Sequence, residues 1–263
     1  MKRSRIISIA SIAVIGIVAF VFLKTAYVAP ILMYHSVDYN DKITKLSINP
    51  KDFASQMDFL HKNKYNVVTL ENLVTYIKDK KDIPPKTIAI TFDDGYYNNY
   101  EYAYPILKKY NLPATIYIIV SKIGAPGYMG WKEIKEISDS GLITIGSHTI
   151  SHKWLPAMGT INLKSELADS KAIIEKQIGK PVNTLCYPIG AHDDRVELAV
   201  KSAGYTCAVA TNPGRFSPID DLYAIKRIKI SRTSNNLFVF WFEISGYYTF
   251  IKEWKGRHIM EIE

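Results

Sequence analysis

Cysteine is nearly missing from this chain: 263 residues hold two, Cys186 and Cys207. That excludes a disulfide-stapled scaffold. Both fall in expected strands of consecutive units, where a bridge in an oxidising compartment and two buried thiols remain open alternatives. Internal repeats, low-complexity segments and a second hydrophobic unit are also absent, which excludes a repeat array and leaves one domain. The formal net charge is +8, yet no arginine-rich helix, zinc-knuckle spacing or aromatic RNA platform accompanies it. Nucleic acid is therefore the weakest partner for that charge, and an anionic polymer or membrane surface suits it better. No glycine-rich loop follows the first strand, which counts against a dinucleotide-binding open sheet.

One long apolar run is present. Ile6 to Leu23 carries no charge and follows Lys2, Arg3 and Arg5, the pattern of a membrane-targeting segment with its positive end inside. The stretch Thr25-Ala26-Tyr27-Val28-Ala29-Pro30 makes a poor small-x-small cleavage site. A retained transmembrane helix is thus favoured over a cleaved signal peptide, with the remainder outside the cytoplasm or, if cleaved, secreted. Residues 1–28 form the stub and anchor in this reading, and 29–263 one folded domain.

Beyond the anchor, short apolar runs alternate with amphipathic stretches. Strands are expected at Ile31–Tyr34, Val67–Thr69, Thr87–Phe92, Ala114–Val120, Leu142–Gly146, Thr184–Tyr187, Thr206–Ala210 and Leu222–Ile230. Helices fall between them, from one opened by Asn49-Pro50 to a last aromatic one capped by Ser234-Asn235. Near-continuous apolar strands joined by helices imply a parallel sheet covered by helices. The fold class is α/β, a distorted (β/α) barrel of about seven to eight parallel strands, whose site would form at the strands' C-terminal ends.

Those ends carry chemistry. Thr91-Phe92-Asp93-Asp94-Gly95-Tyr96 places two adjacent carboxylates where a strand stops, and Gly95 lets the chain turn so that both reach one rim. Two like charges this close need a cation or a shared proton. Ser147-His148-Thr149-Ile150-Ser151-His152 follows another strand, and its four-residue spacing sets both imidazoles on one face of a helical turn. Two His and one Asp leave positions open on a metal, the mark of a catalytic site. A glycoside hydrolase using Asp93 and Asp94 as its acid–base pair ranks lower, because adjacent carboxylates do not straddle a glycosidic bond.

Together the two motifs resemble those of the polysaccharide deacetylases, over roughly Ala29 to Ile244. The resemblance implies a metal-dependent hydrolase that removes N-acetyl groups from N-acetylglucosamine units of a cell-surface polysaccharide and releases acetate. Asp93 would be the catalytic base, and Asp94, His148 and His152 would hold one divalent ion, zinc favoured over cobalt, nickel or manganese. The family's Arg-x-Pro-Tyr-Gly stands here as Cys186-Tyr187-Pro188-Ile189-Gly190, which retains an oxyanion-binding amide at Ile189 but lacks the arginine that steadies the base. Arg227 is a candidate substitute, with a surface or packing role as its default. The late Leu-x-His motif is missing too. Ile31-Leu32-Met33-Tyr34-His35-Ser36-Val37 resembles the opening of the biofilm poly-N-acetylglucosamine deacetylases, a circularly permuted branch in which His35 would supply the proton to the departing amine. Tyr96, Pro188 and Trp154 are candidate substrate contacts. Peptidoglycan and chitin-like oligomers stay open as substrates, as does association with a polysaccharide synthase. A non-catalytic glycan-binding relic is the remaining alternative.

Overall fold

A computed structural model describes residues 15–18, 27–40, 46–211 and 222–249. In chain order the strands are β1 (Ile31–Tyr34), β2 (Ser36–Val37), β3 (Ser47–Ile48), β4 (Asn66–Val68), β5 (Thr87–Phe92), β6 (Ala114–Ile118), β7 (Ile143–Ser147), β8 (Thr184–Cys186), β9 (Cys207–Val209) and β10 (Ile228–Lys229). Eight of them form one sheet in the order β10-β1-β5-β6-β7-β8-β9, with β4 paired to β5 off that path. Every pairing in it is parallel. Strands β2 and β3, which the sequence pattern does not signal, pair with each other beside it.

The sheet curls. Past β9, Val209 bridges Ile225, and Ile228 then pairs with Leu32 of β1. Segment 225–229 thus touches both ends of the curl and brings the first and last strands side by side. It also explains why the strand expected over Leu222–Ile230 is regular only at β10: the segment crosses from one strand to the other. Distortion has a second source at Ala89, which pairs with Ile31 on one side and Val68 on the other. β4 therefore wedges in beside β5, and β6 meets β5 only at Thr91 and Phe92.

Side chains alternate across a strand, and here the alternation sorts them into two apolar clusters. Leu32, Tyr34, Ile88, Ile90, Phe92, Ile116 and Ile145 face the covering helices. Ile31, Ala89, Tyr117, Cys186, Val209 and Ile225 face inward. Helix 70–78, capped by the Thr69 side chain, turns Leu70, Leu73, Val74 and Ile77 into that inner cluster and seals one end of it. Continuing the inward parity to the strand ends gives His35 after Ile31 and Met33, and Asp93 after Ala89 and Thr91. The same count gives His148 after Thr144 and Gly146, and Arg227 and Lys229 after Ile225. The open end of the interior is consequently built of ionisable groups.

The expected single-pass anchor is corrected. No helix among the described residues is long and apolar enough to cross a membrane. Of the run Ile6–Leu23 only residues 15–18 are described, as helix. The rest of that run lies outside the described residues.

Candidate active site

A cavity of about 680 Å³ opens at the C-terminal ends of the strands, walled by His35, Asp93, Asp94, His148, His152 and Ile189 among others. Asp93 continues the inward face of β5. Asp94 turns out of the strand with φ 71°, followed by Gly95 at 74°, so the turn starts one residue earlier than Gly95 alone would require. Left-handed backbone at Asp94 swings its carboxylate to the same rim as Asp93.

His148 and His152 also converge, but not on a helical turn. Residues 148–152 form an irregular loop in which Thr149 and His152 have φ of 67° and 55°. The rings lie 4.6 Å apart, centroid to centroid. Asp94 Oδ1 is 3.6 Å from His148 Nε2 and 3.7 Å from His152 Nε2. Ligands about 2.1 Å from a tetrahedral ion lie about 3.4 Å from one another, so the three atoms fit a divalent cation. The tautomer fits as well. His148 Nδ1 lies 2.7 Å from the Cys186 carbonyl, which can only accept, so Nδ1 carries the hydrogen and Nε2 presents its lone pair. Burial pushes the His148 pKa down more than Asp93 and Asp94 pull it up, favouring the neutral ring that a metal needs. Gly146 makes room below, since a Cβ there would lie 2.4 Å from the Tyr117 ring.

Arg227 is the site's largest departure from its default reading. It is wholly buried and clamps Asp93 with two hydrogen bonds of 2.7 Å, Nη1 to Oδ1 and Nη2 to Oδ2. Nε donates to the Ala210 carbonyl, Nη1 to Thr91 Oγ1 and Nη2 to Cys186 Sγ. All five guanidinium N–H groups are thereby used. Burial would raise the Asp93 pKa, but the Arg227 charge and hydrogen bonds outweigh it and hold the carboxyl well below the usual carboxylate range. Both cysteines are free, buried thiols.

His35 Nε2 lies 3.9 Å from Asp93 Oδ2. Burial lowers its pKa, ahead of opposing pulls from Asp93 and Asp94, so the resting imidazole is neutral at pH 7. Ile189 sits at φ 59°, ψ 8°, a left-handed conformation that is costly for a β-branched residue. Gly190 follows at 73° against Thr211, whose hydroxyl donates to the Ile189 carbonyl.

Three expected substrate contacts lie outside the cavity wall. Tyr96 is half-buried and stacked on Tyr128, and its hydroxyl bonds Asp94. Pro188 is buried, and Trp154 is exposed on the surface. The wall instead takes in Lys229, Ser231, Thr233, Glu243 and Tyr248. No motif marks them, although the inward count from Ile225 would have found Lys229.

The polysaccharide deacetylase family model matches residues 80–208. Bacillus subtilis YxkH, which carries the same family name, is 36% identical over 77% of this chain and 71% of its own length. The poly-beta-1,6-N-acetyl-D-glucosamine N-deacetylase of Staphylococcus epidermidis is 29% identical over 82% and 74%. Among solved structures, the Streptococcus pyogenes deacetylase PplD in complex with acetate superposes with a TM-score of 0.74 at 28% identity, covering 81% of this chain and 98% of that one.

Proposed function

The chain belongs to the polysaccharide deacetylase family, and on that premise we propose that it is a metal-dependent N-deacetylase of a polysaccharide of N-acetylglucosamine units, poly-N-acetylglucosamine foremost. The observation that carries this reading is the meeting, in one cavity, of an Arg-clamped Asp93 with the triad Asp94, His148 and His152. The preference among polymers rests on the Staphylococcus epidermidis relative.

Asp94, His148 and His152 would hold one divalent ion, zinc favoured, whose chemistry there is to polarise the acetamide carbonyl and acidify a water. Asp93, fixed in place by Arg227, takes the proton of the attacking water. The Ile189 amide donates to the developing oxyanion. An amine leaves only if it is protonated, and His35 starts neutral. Asp93 supplies what it lacks. A proton gained by Asp93 passes to His35 once the 3.9 Å gap of the resting site tightens around bound substrate, and from there to the glucosamine nitrogen. Acetate and a free amine are the products.

Two earlier alternatives lose support. A glycosidase needs one carboxyl protonated near neutrality, and Arg227 holds Asp93 ionised. A relic would lack support for the base, and the Arg227 guanidinium supplies that support to Asp93. The test is acetate release from poly-N-acetylglucosamine, peptidoglycan and chitin oligomers, with and without chelator. Release from the first, abolished by chelator and restored by zinc, is expected. Undiminished release in chelator, or none from any polymer, refutes the reading.

A further inference from the structure

The loop that carries the two histidines has no secondary structure to satisfy its amides, so each needs an individual partner. The His148 N–H donates to the Ile118 carbonyl of β6. Thr149 N–H donates to Ser147 Oγ at 3.2 Å, and His152 N–H to Thr149 Oγ1 at 3.1 Å. Ile150 and Ser151 remain, and both donate to one atom, Oε2 of Glu166, at 2.9 Å each. The other oxygen, Oε1, accepts from Ser151 Oγ. A single carboxylate therefore closes the turn between the two imidazoles.

Glu166 reaches the loop because of where its helix breaks pattern. Residues 160–178 run as helix throughout, but Ser165–Asp169 is a π-helical turn between α-helical Thr160–Lys164 and Ser170–Ile178. Such insertions are concentrated at functional sites. Glu166 is buried at 8% exposure although the neighbouring Lys164 is exposed. The carboxylate is spent on backbone amides and a hydroxyl.

We infer that Glu166 is a positioning residue, which holds loop 149–152, with Thr149 and His152 left-handed, in its shape and thereby sets His152 against His148 and Asp94. This rests on the metal-site reading of those three residues. The role is geometric, so a neutral acceptor of the same length suffices. In Glu166→Gln the amide oxygen can still take both N–H groups while its NH₂ donates to Ser151 Oγ. In Glu166→Asp the charge is kept, but the side chain is one methylene shorter and cannot span to both amides.

The test uses the full chain, stripped of metal with chelator and titrated with Co²⁺. Affinity and the visible d–d spectrum are read, alongside amide exchange at Ile150 and Ser151 in the metal-free protein. Outer partners of metal ligands typically contribute 10–100-fold in affinity. Glu166→Gln should bind within about 3-fold of wild type with an unchanged spectrum, Glu166→Asp about 10-fold more weakly, and Glu166→Ala at the far end of that range. The Asp and Ala variants should also exchange the two amides faster. Wild-type affinity and spectrum in Glu166→Asp overturn the inference, as does Gln binding more weakly than Asp, which would make the charge and not the reach the cause. Should Glu166→Ala fail to fold, the Gln–Asp comparison decides alone. A wild type that binds no Co²⁺ refutes the metal reading instead. In that case unchanged amide exchange in the Asp variant still overturns the positioning role, and faster exchange supports it.

Discussion

Replacing Arg227 by Met removes five hydrogen bonds at once and strands Asp93, which is 1% exposed, as an unpaired buried anion. Breaking such a pair from one side costs about 3–5 kcal/mol. For a chain of this size that lowers the melting temperature by roughly 10 °C. The pH dependence identifies the cause. In the wild type the Asp93 pKa is depressed, so its contribution is present above the unfolded value near ~4 and is lost as pH falls through the folded value. In the variant only the weaker pulls of His35 and His148 oppose burial, and the Asp93 pKa rises instead. Protonation then relieves the stranded charge, so the stability gap is widest at high pH. It narrows by up to about 1.4 kcal/mol per unit once the pH drops below the variant's raised pKa. Denaturant unfolding of chelator-treated protein between pH 8 and 5 measures this. A loss under about 1 kcal/mol, or a gap that stays flat with pH, would show that Arg227 packs and does not pair.

Three other outcomes are expected. His35→Ala keeps its metal content and glycan binding but loses on the order of 100-fold in turnover, less on an activated ester whose leaving group needs no proton; lost metal would instead make His35 a ligand. His152→Ala, whose side chain is 31% exposed, loses metal affinity with little change in melting, whereas the buried His148→Ala loses both; equal metal content in wild type and His152→Ala contradicts the triad. Ile189→Gly relieves a strain of about 1–2 kcal/mol and returns part of it as unfolded-chain entropy, so stability should rise slightly while acetate release slows. A variant less stable than wild type would mean that Ile189 is not strained.

The strand ends were legible because three features of the sequence agree there: apolar runs stop, a turn residue follows, and an ionisable pair sits at the stop. Asp93-Asp94 and His148–His152 needed no structure to be placed at one rim. The route to that rim was illegible. A four-residue His spacing reads as a helical turn, yet Thr149 and His152 adopt left-handed backbone, and the restraints on that loop come from Glu166 and from the Val120 and Ser121 amides, beyond any local pattern. Arg227 was legible as a candidate substitute but not as the default reading, for a related reason. A lone arginine in a strand reads as surface, and only the count of inward positions from Ile225 turns it toward the carboxylate.

Cys186 and Arg227 are therefore one observation. The motif position that holds arginine in the family resemblance holds a thiol here, and the thiol Sγ lies 3.1 Å from Arg227 Nη2. What the interior requires is a cation at the back of Asp93. A guanidinium from β8 or from the segment beside β10 meets that requirement equally well, provided the other position stays small. A motif describes which strand supplies the group, whereas the electrostatics constrain only the point where it arrives. Charge follows the same logic across the site. Arg227 cancels Asp93, so in the proposed metal site Asp94 alone would offset a divalent ion, which would leave about one net positive charge toward the cavity. Were Arg227 absent, the two carboxylates would neutralise the ion, and the pull on an acyl oxygen would weaken. Arg227 touches none of Asp94, His148 and His152 and so looks like a structural residue, but with a divalent ion bound it would leave a net positive charge, rather than none, facing the reacting bond.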